Sequence, residues 1–207
     1  MPLHLLDHPL AAHRLSRLRD ATTESDRFRR LTRELTTMLV YEATRGLDVR
    51  PVVVRTPTGE ATSVEVAQTP IVVPVLRAGL AMMDAALSLL PDSHVGLVGL
   101  RRDEQTLQVS EYADTVPHDL HGSPALVCDP MLATGGSVRH VCELLGLRDV
   151  GPITVLSLLA APDGVANVLD HHPSVDLWVC AVDHGLDEHG FIVPGLGDAG
   201  DRLYGLR

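Results

Sequence analysis

From Thr69 onward the chain repeats one pattern: a continuous aliphatic run, a turn, then an amphipathic segment. The runs are IVVPVL, HVGLVGL, PALVCD, ITVLSLLA and VDLWVCAV, and between them lie RAGLAMMDAALSLL, GGSVRHVCELLGL and DGVANVLDHH. A strand with one wet face alternates apolar and polar residues, whereas a strand covered on both faces stays apolar throughout. Such runs alternating with helices predict an α/β fold, a parallel sheet flanked by helices on both faces. In sheets of this kind ligands gather beyond the carboxyl ends of the strands. Three stretches fall there: Arg77-Ala78-Gly79, Asp129 to Ser137, and the long tail after Val182.

The first fifty residues read as helical. In SDRFRRLTRELTTMLVYEATRGL, residues Phe28, Leu31, Leu35, Met38 and Leu39 recur at three- and four-residue spacing, with Ser25 as the expected N-cap and Gly46 as the stop. PVVVRTP and TSVEVAQ then read as two short strands joined through Thr-Gly. Between Arg101 and Pro124 the chain is polar and without helical period, fit for a hairpin projecting from the sheet. No domain-sized linker, internal repeat or low-complexity tract interrupts residues 1–207, which read as a single domain of 207 residues.

Composition narrows the function. The formal net charge is −10, the opposite of what a wholesale nucleic-acid binder carries, so nucleic acid is not an expected partner. All 17 basic residues are arginine, which coding bias explains as well as any function. No window approaches the roughly 18 to 20 apolar residues of a membrane span, and the amino terminus does not read as a signal peptide. Cys128, Cys142 and Cys180 are too few and too scattered for a disulfide framework or a zinc site. The expected location is cytoplasmic, with no membrane partner.

The segment CDPMLATGGSV carries the most chemistry. An aliphatic strand delivers Asp129 to the sheet edge, and Ala133-Thr134-Gly135-Gly136-Ser137 opens a helix. Unpaired N–H groups at a helix start point toward an anion, and two glycines let a phosphate approach the backbone. A plain strand-to-helix turn is the competing reading, which the preceding strand and Asp129 weaken. The Walker spacing and its lysine are missing. Arg77 directly after a buried strand opposes the dipole of the following helix, so an anion beside it would relieve the misfit. Arg101 and Arg102 end another strand as a pair, an arrangement that is usually just solvated. The tail HGFIVPGLGDAGDRLYG is so rich in glycine that it reads as an irregular loop, without helix or strand. Composition alone favours a floppy terminus there. None of the eleven histidines falls into a metal-protease pattern.

DPMLATGGS resembles the phosphoribosyl-pyrophosphate loop of the type I phosphoribosyltransferases, in the form found in uracil phosphoribosyltransferases. The likeness extends to HPL and RFR…YEAT early, VPVLRAGLAMMDA in the middle, and DHGLDEHGFIVPGLGDAGDRLYG at the end. It implies a parallel sheet with a projecting β-arm and amino-terminal helices. It also implies transfer of the phosphoribosyl group of 5-phospho-α-D-ribose 1-diphosphate to uracil N1, giving UMP. On that resemblance the donor is held by Arg77, Arg102 and Asp198 together with Asp129, Pro130, Met131, Leu132, Ala133, Thr134, Gly135, Gly136 and Ser137. Ile192, Gly197, Asp198 and Ala199 line uracil, while Arg77, Arg102 and Asp198 take part in catalysis. Pro130 replaces the second acidic residue of many type I relatives, as in the uracil enzymes. The implied Mg²⁺ therefore arrives largely on the substrate's oxygens, with no protein metal site of its own. Relatives form dimers or larger assemblies and some respond to GTP, so a homo-oligomer and a GTP activator are implied partners. Two departures stand out: Arg101 occupies a position commonly tyrosine, and EYADTV lacks a lysine frequent in the arm. The rival readings are a pyrimidine-operon RNA-binding attenuation regulator of the same fold and a non-catalytic uracil or nucleotide sensor.

Overall fold

The computed structural model describes residues 2–102 and 109–205; the side chains of Arg102 and Val109 lie outside that description. In chain order the elements are β1 (Leu3–Leu5), α1 (Pro9–Arg19), α2 (Ser25–Ala43), β2 (Val49–Thr56), β3 (Gly59–Val66) and β4 (Ile71–Leu76). Next come α3 (Leu80–Leu89), β5 (Val98–Arg102), β6 (Val109–Asp114), β7 (Ala125–Cys128), β8 (Met131–Leu132) and α4 (Gly136–Gly146). The chain continues with β9 (Ile153–Ala160), α5 (Pro162–His171), β10 (Asp176–Val182), β11 (Gly185–Leu186), β12 (Ile192–Val193) and α6 (Ala199–Tyr204).

The main sheet runs β1-β10-β9-β7-β4-β5-β6, with β8 added alongside β9. Every neighbour is parallel except β6, which returns antiparallel to β5. The alternation of strand side chains sorts the core into two layers. Val72, Leu126, Cys128, Leu156 and Leu158 face one way and pack with Leu18, Phe28, Leu35, Leu39 and Met82 of α1, α2 and α3. Val73, Val75, Val127, Val155 and Val179 face the other and pack with Val138, Val141 and Leu145 of α4 and Val168 of α5. The near-continuous aliphatic strands thus have the cause expected of them, helices on both faces.

Local differences from the sequence reading have physical reasons. Ser25 is the first helical residue of α2 and Glu24 takes the cap position without a side-chain hydrogen bond. Gly46 lies past the end of the helix, which closes at Ala43 with Thr44 as its cap. The run HVGLVGL forms a strand only from Val98 onward, the earlier part making one isolated bridge between Val95 and Val72. The glycine-rich tail is not wholly irregular. It holds the short antiparallel pair β11–β12 and the helix α6, which starts once Asp198 accepts the N–H of Asp201 at 2.8 Å. A capping carboxylate three residues ahead of the N–H that donates to it overrides the local glycine density.

The expected hairpin between Arg101 and Pro124 is β5–β6, with residues 103–108 outside the described chain. Its base is fixed by Arg148, which pairs with Asp114 and donates to the Val116 carbonyl at 2.6 Å. The strands β2 and β3 form a second antiparallel ribbon, separate from the main sheet. All three cysteines are unbridged, and burial pushes each thiol up to about 12. Among the described residues no helix is long and apolar enough to cross a membrane.

Candidate active site

The parallel register Pro74↔Cys128 ends β7 two residues short of the end of β4, while β9 runs on past Leu156 to Ala160. The Arg77 turn and the Asp129 loop leave the sheet side by side. They come together so closely that a Cβ on Gly79 would lie 2.3 Å from the Cys128 carbonyl oxygen and 2.6 Å from Val75 backbone atoms. Gly79 has an ordinary helical φ, so it is this backbone contact that requires glycine there.

The stretch from Asp129 to Ser137 divides into three parts. The Asp129 N–H donates to Leu156 O at 3.1 Å, and the Pro130 carbonyl accepts from Leu158 and Leu159 at 3.0 and 3.1 Å. Met131 and Leu132 run as β8 beside β9, with Pro130 and Leu132 buried. Gly135 then turns the chain at φ 78° into α4. Its carbonyl accepts from the Arg139 N–H at 2.9 Å, leaving the N–H groups of Gly136, Ser137 and Val138 ahead of the first helical bond. No carboxylate stands in the first turn of α4. Asp129, Met131 to Val138 line a cavity of about 40 Å³ at this helix start. Its helix-start side is rich in donors and free of carboxylates, as an anion cradle requires, with Asp129 also on its border.

The cradle is braced from behind by residues the sequence reading missed. Asn167 of α5 donates its side-chain amide to the Thr134 carbonyl at 2.7 Å. Gly164 sits so close that a Cβ there would lie 2.4 Å from Ala133 O and 2.6 Å from Leu132 O. Gly135 in turn leaves only 2.7 Å between its own Cβ position and Gly164 O.

A cleft of about 790 Å³ opens over the β4 and β5 ends, lined by Leu76, Arg77, Ala78, Leu100, Arg101, Tyr112, Asp198 and Gly200. Arg77 and Arg101 are exposed along it. Arg102 ends β5 and its side chain lies outside the described residues. A second pocket of about 230 Å³ adjoins, lined by Ala78, Met131, Ala133, Gly190, Phe191, Ile192, Gly197, Asp198, Ala199 and Gly200. Ala78, Asp198 and Gly200 belong to both, so Asp198 stands where the two cavities meet. One of its oxygens caps α6, which fixes the carboxylate without exhausting its acceptor sites.

The tail is rigid because distant groups hold it. Arg19 donates to both oxygens of buried Asp183 at 2.7 and 2.5 Å and to the Gly195 carbonyl at 2.8 Å. The same Asp183 accepts the Gly195 N–H at 2.8 Å. Burial by itself raises the Asp183 carboxyl, but the Arg19 hydrogen bond, the Gly195 N–H and the guanidinium charge outweigh it and leave it below the ordinary range. Arg202 lies 4.4 Å over the Phe28 ring and donates to Leu18 O and Leu196 O at 2.9 and 2.8 Å. Neither arginine had a local sequence signal, whereas the cap pattern Asp198-Ala-Gly-Asp201 did.

A parallel sheet carrying an anion cradle after one strand and an arginine turn after its neighbour defines a type I phosphoribosyltransferase. The fold matches an adenine phosphoribosyl transferase from Trypanosoma brucei at a TM-score of 0.56 and 12% identity, covering 93% of this chain and 85% of that one. The family model described as uracil phosphoribosyltransferase matches residues 5–206, and the chain belongs to that family. A uracil phosphoribosyltransferase from Kineococcus radiotolerans is 52% identical over 210 residues, covering 100% of both chains. The structure of the AQ2163 protein from Aquifex aeolicus superposes with a TM-score of 0.91 at 36% identity, covering 98% of this chain and 97% of that one.

Replacing Asp183 by Asn should therefore loosen the tail and strand the Arg19 charge. We expect a loss of about 1–3 kcal/mol in urea unfolding at neutral pH. Because the folded carboxyl is lowered, the wild-type advantage should be fully present above the ordinary aspartate range and vanish as pH falls through the folded value. An unfolding series of both proteins from pH 7 to pH 3 checks the sign.

Proposed function

We propose that this cleft joins N1 of uracil to C1 of 5-phospho-α-D-ribose 1-diphosphate, giving UMP and diphosphate in UMP salvage. The observation that carries the reading is that the arginine-lined cleft meets a small pocket at Ala78 and Asp198, and that this pocket meets the anion cradle at Met131 and Ala133. The cradle from Thr134 to Ser137 takes the 5′-phosphate on main-chain N–H groups and hydroxyls. Asp129, bordering the same cavity, takes ribose hydroxyls. Arg77 and Arg102 hold the diphosphate, and Arg101 lies along the same cleft.

Breaking the anomeric C–O bond builds positive charge on the ribose and negative charge on the leaving diphosphate. Fixed guanidinium groups aimed at that growing negative charge lower the barrier without reorganising. Uracil enters beside Ile192, Gly197 and Ala199, where peptide groups rather than charged side chains face its edge. The N–H groups of Ala199 and Gly200 precede the first helical bond of α6, which runs from Arg202 to Asp198 O at 3.1 Å. They are donors fit for a uracil carbonyl. Asp198, at the junction, faces both the sugar and the proton-bearing side of the base.

Magnesium fits this donor set: Asp198 on the diphosphate cleft and Asp129 in the cradle offer hard carboxylate oxygens, the ligand class that ion takes. Its other ligands would be oxygens of the donor. When bound, it neutralises charge on the leaving diphosphate.

The oligomer belongs to the same reading, with support in the β2–β3 ribbon. Its register pairs Val49 with Val66, Pro51 with Val64 and Val53 with Thr62, which puts these six side chains on one face. Val53 is 69% exposed and Val64 62%, an apolar face on a two-stranded ribbon too small to be stable uncovered. A second copy of the chain covers it.

Three measurements test these statements. With the same donor, a panel of uracil, cytosine, hypoxanthine and xanthine should give UMP from uracil with a preference of roughly 10⁴-fold. Comparable rates with a purine would overturn the assignment. The Arg77→Ala enzyme should lose well over tenfold in kcat/KM for the donor, matching a charged contact of about 1.5–3 kcal/mol. Unchanged kinetics would remove Arg77 from the mechanism. Finally, the double variant Val53→Glu, Val64→Glu should elute with the mass of a monomer in light scattering, where the wild type elutes larger.

A further inference from the structure

The two cavities are joined by a hydrogen bond that spans 127 residues of sequence. The hydroxyl of Tyr204 donates to the Arg77 carbonyl at 2.7 Å, and the Leu80 N–H donates to the same oxygen at 3.2 Å. Two donors fix the plane of the Arg77–Ala78 peptide. That peptide is trans, so its N–H points away from the oxygen so held. Its second residue, Ala78, lines both the diphosphate cleft and the base pocket.

At its other end Tyr204 is the last residue of α6, whose cap Asp198 and first residue Ala199 line the base pocket. The helix is only six residues long and is seated firmly. Leu203 is fully buried, and Arg29 donates to its carbonyl at 2.7 Å. A displacement of Asp198 or Ala199 is therefore carried to Tyr204 with little loss. Burial raises the Tyr204 phenol, partly opposed by the Arg77 guanidinium, so it stays a protonated donor at neutral pH.

Resting on the functional reading above, we propose that Tyr204 is a positioning residue that couples occupancy of the base pocket to occupancy of the diphosphate cleft. A ligand that seats α6 holds the Arg77–Ala78 peptide ready for diphosphate, and diphosphate bound at that peptide holds α6 for the base. Linkage makes the effect equal in both directions.

The test uses the full chain in magnesium buffer with two unreactive probes, UMP for the base and phosphate sites and methylenebisphosphonate for the diphosphate cleft. Calorimetry gives the affinity for each probe alone and in the presence of the other, for wild type, Tyr204→Phe and Tyr204→Leu. In the wild type each probe should tighten the other about fivefold or more. In both variants that mutual tightening should fall by about three- to tenfold, with UMP alone binding as before and thermal midpoints unchanged. Equal tightening in wild type and Tyr204→Phe overturns the proposal, as does a wild type without tightening. Loss of UMP affinity in folded variants would make Tyr204 part of the binding surface and also overturn the coupling role. A wild type that fails to bind UMP at all instead overturns the functional reading and, with it, this proposal. That failure is visible in the wild-type arm alone.

Discussion

The Cys128 carbonyl and the Gly79 backbone occupy space that leaves no room for a Cβ, and the architecture of the cleft follows from that contact. Parallel pairing of β4 with β7 sets the two strand ends within two residues of each other, and the close approach of the turn to the neighbouring strand fixes where Arg77 emerges. The same device recurs one strand further on, where Gly164 and Gly135 bring α5 against the Ala133 carbonyl. Backbone packed on backbone is stiff, because it has no rotamers to relax. Both elements proposed to bind anions are thus mounted on backbone contacts that deform little, as electrostatic catalysis would require.

Charge distribution completes the picture. In a chain with net charge −10, anionic substrates need local relief. Among the described residues, ion pairs engage Arg14, Arg19, Arg30, Arg45, Arg50, Arg139 and Arg148 away from the cleft, while Arg77 and Arg101 are exposed along it. Those pairs lie elsewhere on the surface and at the tail, and Arg77 and Arg101 put positive charge along the space between β4 and β5. That partition keeps a strongly acidic protein hospitable to a doubly phosphorylated sugar.

How much of this was legible in the sequence depended on whether the cause was local. The strands were readable because burial on both faces leaves an unbroken aliphatic run, and IVVPVL and ITVLSLLA mark β4 and β9 to the residue. The passage from the Asp129 strand into a helix opened by Gly135 and Gly136 was readable because strand, glycines and helix are adjacent in sequence. The grip of Arg19 on Asp183 was not, since its partners are 164 residues apart and neither residue type signals the other. Arg202 was hidden for the same reason, reaching Leu18 across 184 residues. The helix α6 was misjudged on glycine content, although the Asp198 cap was present in the sequence. The Ser25 cap failed in the opposite way, since the position one residue earlier, Glu24, is where the backbone leaves helical geometry.

The seating of Ile192, Asp198 and Ala199 in the carboxyl-terminal segment has a consequence for biosynthesis. A nascent chain that has emerged only through Val182 already carries the Asp129 loop and the arginine turn, yet of this pocket's lining it holds only Ala78, Met131 and Ala133. The pocket is therefore completed during synthesis only after the strands of the main sheet.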